Sequence, residues 1–397
     1  MNRKQDILLR SFVNLTFVIY LLSEVFLPHT LINQLFMLLF CGFIVLVILT
    51  KKKFYFNIYF IFSFLFIAQS LFVSFMGISI NQNTSLSMAT TLIINFIFTL
   101  LFYNFVLIND YLEKSLIIFA RVGMIFSLVI VFVSIDQIFS GRLGWDISLT
   151  IFGQYVRYNA NTIALISGIS YLIYLYKYNK LKNNCDLFFL VWFSLIVLLT
   201  GSRKGLFLVV FGTILLLFML NPKSRIKNIF FASLAAITFY LVVMKMPVFY
   251  NIIGYRMEAL ISMFSGEEIE EGSAKTRNLF VELGWEYFKL RPWTGYGLDT
   301  FRHFPGSYGT YSHNNYIEIL ISGGIPSLIF YYFIRLIILV RLFLNQNKDF
   351  INKLLFVILL ILLILDYGFV SYFDRIYILL FVFVLCGYGQ IKYKRSS

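Results

Sequence analysis

The amino-acid sequence predicts an all-α, polytopic integral membrane protein, on three observations. Hydrophobic residues fill 60% of the 397 positions and charged residues only 13%, too few to cover a water-facing surface, which excludes a soluble globule. Runs of about 20 apolar residues recur along the whole length, as helices crossing a core about 30 Å thick require, in place of the ten-residue alternation of an outer-membrane barrel. Lysines and arginines gather in short clusters between those runs.

The apolar runs place twelve spans at approximately Ser11–Leu27, Leu31–Leu49, Phe54–Met76, Leu86–Ile108, Ser115–Phe139, Asn161–Tyr176, Leu187–Leu199, Leu206–Leu220, Ile229–Met244, Ile317–Val340, Leu354–Val370 and Ile376–Gly389. The first run follows Arg3, Lys4 and Arg10 but continues through Glu24 and Pro28 without a small-residue cleavage site, so it is expected to stay as a span. A cytoplasmic N-terminus puts Lys51–Lys53, Lys114, Lys177, Lys180, Lys182, Lys223, Arg225, Lys227, Arg335, Arg341, Lys348, Lys353, Lys392, Lys394 and Arg395 on the inner side. It leaves the turns near Pro28, Asn81 and Ser371 almost free of cations, as the positive-inside rule requires, with both termini cytoplasmic. Topology thus accounts for much of the net charge of +14, and nucleic-acid binding is not needed to explain it. Cys41, Cys185 and Cys386 are odd in number and lack CxxC or Cys/His spacing, so neither a disulfide framework nor a metal site is expected.

Residues 1–397 read as a single transmembrane domain with one large extracytoplasmic loop, about 246–312, between the ninth and tenth spans. Within it, Gly266–Gly272 is an exposed acidic turn. Ser273–Leu290 has apolar positions Leu279, Phe280, Leu283, Trp285, Tyr287 and Phe288 compatible with an amphipathic surface helix. Pro292, Gly295, Gly297, Pro305, Gly306 and Gly309 then mark irregular backbone. Outer cations that topology does not explain are Arg142, Arg157, Arg203, Lys204, Arg256, Lys275, Arg277, Lys289, Arg291 and Arg302.

Four stretches offer chemistry. Ser312 is a reasonable N-cap, which places His313 in the first helical turn, where the helix dipole favours the neutral imidazole that a general base needs. Asn314, Asn315, Tyr316 and Glu318 supply polar groups beside it, and Gly323, Gly324 and Pro326 interrupt the helix. A histidine marking the membrane interface is the plain alternative. The turn Thr200-Gly201-Ser202-Arg203-Lys204-Gly205 is so short that its cations lie at the membrane surface, where an anionic partner offsets their cost. The Arg203 fork matches phosphate oxygens, whereas Lys204 is equally explained by snorkelling. Arg277 stands at the start of the amphipathic helix, and Asn159 to Asn161 open a span either as caps or as cavity-lining groups. Asp136, Asp366 and Asp374 lie near span ends.

Taken together, the Asn-x-Asn opening at Asn159–Asn161, the Gly-Ser-Arg turn at Gly201–Arg203, the Arg-Pro-Trp-Thr-Gly-Tyr-Gly run within Ser273–Phe301, and His-Asn-x-Tyr-x-Glu-x-Leu-x-x-x-Gly-x-Pro from His313 to Pro326 resemble the O-antigen ligase and O-antigen polymerase superfamily of bacterial surface-polysaccharide assembly. The resemblance implies a fold related to helical membrane glycosyltransferases, located in the bacterial cytoplasmic membrane with its active site on the outer face. It implies an undecaprenyl-diphosphate-linked oligosaccharide as donor, a glycan acceptor, membrane lipid and a chain-length regulator as partners, and neither metal nor cofactor. By position, Arg203 and Arg277 look like the arginines that hold the donor diphosphate and His313 like the base, with Asn161, Ser202, Lys204, Asn314, Tyr316 and Glu318 supporting. A compact chain without an added soluble domain favours a polymerase over a ligase. A transporter or flippase of similar span number would show two related halves and broken helices at mid-membrane, while here the polar groups cluster on one face.

Overall fold

The computed structural model describes residues 3–140, 147–220 and 272–393, with Leu143 and isolated positions between 227 and 258. Apart from such positions, the expected ninth span and the acidic turn lie outside the described residues, as do Arg142 and Arg256. The helices are α1 (Arg3–Phe26), α2 (Leu31–Lys51), α3 (Ile58–Phe75), α4 (Gln82–Asn109), α5 (Leu112–Val133), α6 (Ile135–Ser140), α7 (Ala160–Leu181), α8 (Cys185–Thr200), α9 (Arg203–Leu220), α10 (Gly272–Leu290), α11 (Asn315–Leu344), α12 (Phe350–Leu365) and α13 (Arg375–Tyr393). Among the described residues, eight helices are long and apolar enough to cross a membrane: α1 to α5, α9, α11 and α13. The apolar α8 and α12 are shorter, at 16 residues each. The expected fifth span divides into α5 and α6 at Ser134.

One element departs from the helical expectation. Strands β1 (Ile147–Ile151) and β2 (Gln154–Tyr158) form an antiparallel hairpin, closed by Phe152 and Gly153, both at positive φ. Such a two-residue turn matches the twist of its strands, and the alternating Leu149, Ile151, Val156 and Tyr158 carry the period.

The chain forms two compact units. The first comprises Met1–Lys51, Tyr111–Glu268 and Gln346–Ile358. Its α7 packs against α5, α8 and α9. Gly168 and Gly205 allow close approach there, since a Cβ on either would collide with Leu208 or Ala164 respectively. Buried charge is compensated locally. Glu24 accepts from Asn33 Nδ2 at 2.8 Å, Ser23 donates to Asn33 Oδ1 at 3.1 Å, and Asp186 pairs with Lys177 at 2.7 Å.

The second unit comprises Lys52–Asp110, Ile269–Asn345 and Leu359–Ser397. Its defining feature is a reversal inside α11. Gly323 and Gly324 leave helical geometry, Gly324 at φ 68°, ψ −163°. In a straight helix Asn315 and Tyr332 would stand about 25 Å apart. Instead Asn315 Nδ2 donates to the Tyr332 hydroxyl at 2.8 Å, and the Tyr316 and Tyr332 rings stack at 4.5 Å. The expected tenth span is therefore two arms folded alongside each other, and only the arm after Gly324 has spanning length.

The break is filled by the outer loop. Carbonyls that α11 leaves unpaired at Ile321 and Ser322 accept from the Tyr296 and Gly297 amides at 2.7 and 2.9 Å, and the Ile325 amide donates to Pro292 O at 2.8 Å. Gly295 and Gly324 sit where backbone meets backbone: a Cβ on Gly324 would strike Pro292 O and one on Gly295 would strike Ile321 O. Helix α10 lies on the short arm, with Gly284 against Ile317 and Ile321. Phe280, Tyr296, Phe301, Phe304, Ile317 and Ile321 form the core of this assembly.

The start of the short arm is fixed as firmly as its end. Asn315, fully buried, accepts from the Ser371 and Tyr372 amides at 2.9 and 3.1 Å, and its own amide donates to Asp366 O at 2.8 Å. The Asp366 carboxylate in turn accepts from Ser371 Oγ at 2.5 Å and Tyr332 at 2.9 Å.

Gly324→Ala is expected to cost about 2–4 kcal/mol, from a left-handed backbone and a backbone collision. Gly42→Ala, where a Cβ meets open space, should change stability by less than about 1 kcal/mol. Thermal unfolding of the two purified variants compares them directly. Asn315→Ala should cost about 2–4 kcal/mol by stranding two buried amides, and Asn315→Asp, which keeps both acceptor contacts but sets a second buried carboxylate against Asp366, should also melt below the unaltered protein.

Candidate functional site

In the first unit, α8 ends at Gly201, a left-handed C-cap at φ 58°, and α9 starts two residues later at Arg203. Ser202 is buried and bolts this turn down: its hydroxyl donates to Asn161 Oδ1 at 2.8 Å and accepts from the Gly205 amide at 3.3 Å. Asn161 is thus a partner of the Gly-Ser-Arg turn, and Asn159 is the N-cap of α7, accepting from the Thr162 amide at 2.9 Å. Arg203 and Lys204 occupy the first turn of α9, half-buried. A helix N-terminus carries partial positive charge, so two cations there create a locally positive surface suited to an anion.

In the second unit, the cap of α11 is Asn314, and this corrects the expectation for Ser312. The Asn314 side chain accepts from the Tyr316 and Ile317 amides at 3.0 and 3.2 Å. Ser312 instead donates its hydroxyl to Asn314 O at 2.9 Å, while its amide donates to the Glu318 carboxylate at 2.9 Å. His313 therefore precedes the cap and lies outside the first turn, at φ 57°. A left-handed conformation costs a non-glycine residue about 1–2 kcal/mol and persists only where surrounding bonds dictate it. Here the Asn314 cap on one side and the Ser312–Glu318 bond on the other do so.

The imidazole is half-buried between two rings. Phe280 of α10 lies parallel to it at 6.1 Å and Tyr311 is tilted against it at 4.4 Å. Arg277 is three residues before Phe280, hence on the same helical face. Burial holds the Tyr311 hydroxyl above the ordinary phenol range, and the positive charge of Arg277 opposes that rise. Tyr311 thus packs on His313 and feels the charge of Arg277. Nearby, Asp299 pairs with Arg302 at 2.6 Å; burial raises its carboxyl and the arginine counteracts it.

The remaining residues of the motif serve the backbone. Tyr316 donates to Leu363 O at 2.6 Å, Glu318 holds Ser312, and Asn314 and Asn315 hold the helix start. Asp374 accepts from the Tyr377 amide at 3.0 Å at the head of α13, and Asp136 is exposed. Sequence reasoning did not single out Tyr311 or the role of Phe280 as a wall of the histidine. The three-residue spacing of Arg277 and Phe280 was the available signal.

Residues 188–332 match the family described as O-antigen ligase, a stretch that contains Arg203, Arg277 and His313. No curated protein matches the chain. The match spans a little over a third of the chain and, with the apolar helices of spanning length around it, supports a place in the O-antigen ligase and polymerase superfamily.

Proposed function

We propose that the protein is a surface-polysaccharide polymerase that transfers a glycan from an undecaprenyl-diphosphate donor to a lipid-linked acceptor repeat unit, at the extracytoplasmic face of the bacterial cytoplasmic membrane. The observation that carries this reading is that Arg203, Arg277 and His313 all fall within the matched residues 188–332, with Tyr311 packed on His313 and feeling the charge of Arg277. Twelve spans in a fold of the helical membrane glycosyltransferase kind belong to the same proposal.

The chemistry follows from compartment and leaving group. No ATP is present outside the membrane, so the sugar arrives activated, and a diphosphate departs without needing a proton. The acceptor hydroxyl oxygen attacks the anomeric carbon, the bond from that carbon to the diphosphate oxygen breaks with its electron pair, and the hydroxyl proton passes to His313. Arg203 and Arg277 hold the departing diphosphate, supplying fixed positive charge where negative charge develops. The bonds that pin Ser312, Asn314 and Asn315 hold the imidazole's backbone in place beforehand, so little reorganisation accompanies reaction. Attack opposite the leaving group inverts the anomeric centre.

A ligase, with lipid A-core as acceptor, is the second reading, favoured by the description of the matched family. Reconstitution with a lipid-linked oligosaccharide, with and without a second acceptor, separates the two. A ladder from the donor alone is the polymerase outcome, a single transfer that requires the added acceptor is the ligase outcome, and no transfer in either reaction refutes both.

His313→Ala and Arg277→Ala should each lower turnover by a factor of about 100 or more with membrane insertion intact, measured on purified variants. Arg203→Lys should weaken donor binding, because a point charge does not reproduce the planar fork. Unchanged donor affinity would remove Arg203 from the diphosphate. NMR comparison of donor and product linkages tests inversion.

A further inference from the structure

Arg335 is a cation of α11, just beyond the matched residues, that the charge pattern assigned to the cytoplasmic side but the structure draws into the second unit. It precedes the end of α11, Leu344, by nine residues, or about 14 Å of helix. Its guanidinium lies 3.5 Å from the Tyr331 ring centroid, 4.5 Å from Phe381 and 5.9 Å from Tyr59, and its hydrogen bond is to Tyr331 O of its own helix. Among the described residues no carboxylate forms an ion pair with it, although its charge is felt at Asp366. The nearest buried acid, Asp366, already accepts from Ser371, Tyr332 and Asn315.

The ungripped donors face open space. A cleft of about 450 Å³ between α3, α4, α11 and α13 is lined by Arg335 together with Ser63, Asn95, Thr99, Tyr331 and Tyr372, and apolar rings complete its walls. A second cleft of about 310 Å³ shares Tyr331 and Arg335. The first is open to solvent, with apolar walls and a few convergent polar groups, the lining that small-ligand sites have. Ring faces stabilise a guanidinium but leave its edge N–H groups unpaired, and a charge at this depth is costly unless an anion completes it. Tyr59 lies in the first turn of α3, shortly after Lys52 and Lys53, and Tyr393 at the end of α13 donates to Phe56 O at 2.6 Å. The basic ends of α3 and α13 thus meet on the side from which Arg335 is reached, where anionic headgroups would be attracted.

We propose that this cleft binds a phosphate-bearing anion on Arg335, the headgroup of an anionic phospholipid or free phosphate, at a site separate from the donor-binding arginines. The fork of Arg335 takes two phosphate oxygens, Ser63 offers a further hydroxyl, and the aromatic walls take the first carbons of an acyl chain. The proposal does not depend on the reaction assigned above.

The purified protein, melted with phosphatidylglycerol, phosphatidylcholine or inorganic phosphate, and weighed intact with bound lipid, tests it. Phosphatidylglycerol should raise Tm by several degrees more than phosphatidylcholine and remain as an adduct, and Arg335→Gln should weaken this about tenfold or more. Protection by inorganic phosphate alone would make the free anion the source; protection by lipid only would make it the headgroup. Ser63→Leu, which fills the cleft and leaves the charge, should melt like the unaltered protein without lipid but lose the shift, and so keeps the test open if Arg335→Gln does not fold. Equal responses to the two lipids with no phosphate effect, or a shift undiminished in both variants, would overturn the proposal.

Discussion

The second unit depends on one break in a helix. Thirty residues of continuous helix from Asn315 would run about 45 Å, well beyond a hydrocarbon core of about 30 Å. The two glycines at 323 and 324 convert that excess into a short arm lying against a spanning arm. The carbonyls freed at Ile321 and Ser322 would be expensive without partners, and the outer loop supplies the amides. The break therefore orders the loop, the loop orders α10, and α10 brings Phe280 to the histidine.

A division of labour follows within the motif from Ser312 to Glu318. Five of its side chains are spent on holding backbone: Ser312, Asn314, Asn315, Tyr316 and Glu318 each bond a main-chain group. The His313 ring lies between Phe280 and Tyr311. Strain at its left-handed backbone is sustained by those neighbours, which hold the residue in one pose.

Charges inside the helices are compensated in different ways. Glu24 is answered by the Asn33 amide, Asp186 by a lysine, Asp366 by three donors, and Arg335 by aromatic faces with a cleft beside them. Each solution reflects what the adjoining helices can offer at that depth, where water is not the default partner.

Much of this was legible without coordinates. Apolar run length foretold the helices, because a spanning helix must satisfy its own backbone, and the apolar positions of Ser273–Leu290 foretold α10, with Phe280, Leu283 and Tyr287 packed inward while Leu279 and Trp285 are exposed. The resemblance led to Arg203, Arg277 and His313, and Gly323–Gly324 signalled an interruption. What local pattern left undecided was the size of that interruption, the choice of Asn314 over Ser312 as cap, the Phe152-Gly153 hairpin, and the place of Arg335. Those were decided by partners distant in the chain, Pro292 and Tyr296 for the break, Asp366 and Ser371 for the helix start, and Phe381 and Tyr59 for the arginine. The sequence by itself determined the class of protein and the residue types at its site, since hydrophobicity and charge are properties of single residues and short windows. Only the tertiary structure decided which groups meet, because a hydrogen bond or a ring contact depends on two segments arriving at one place.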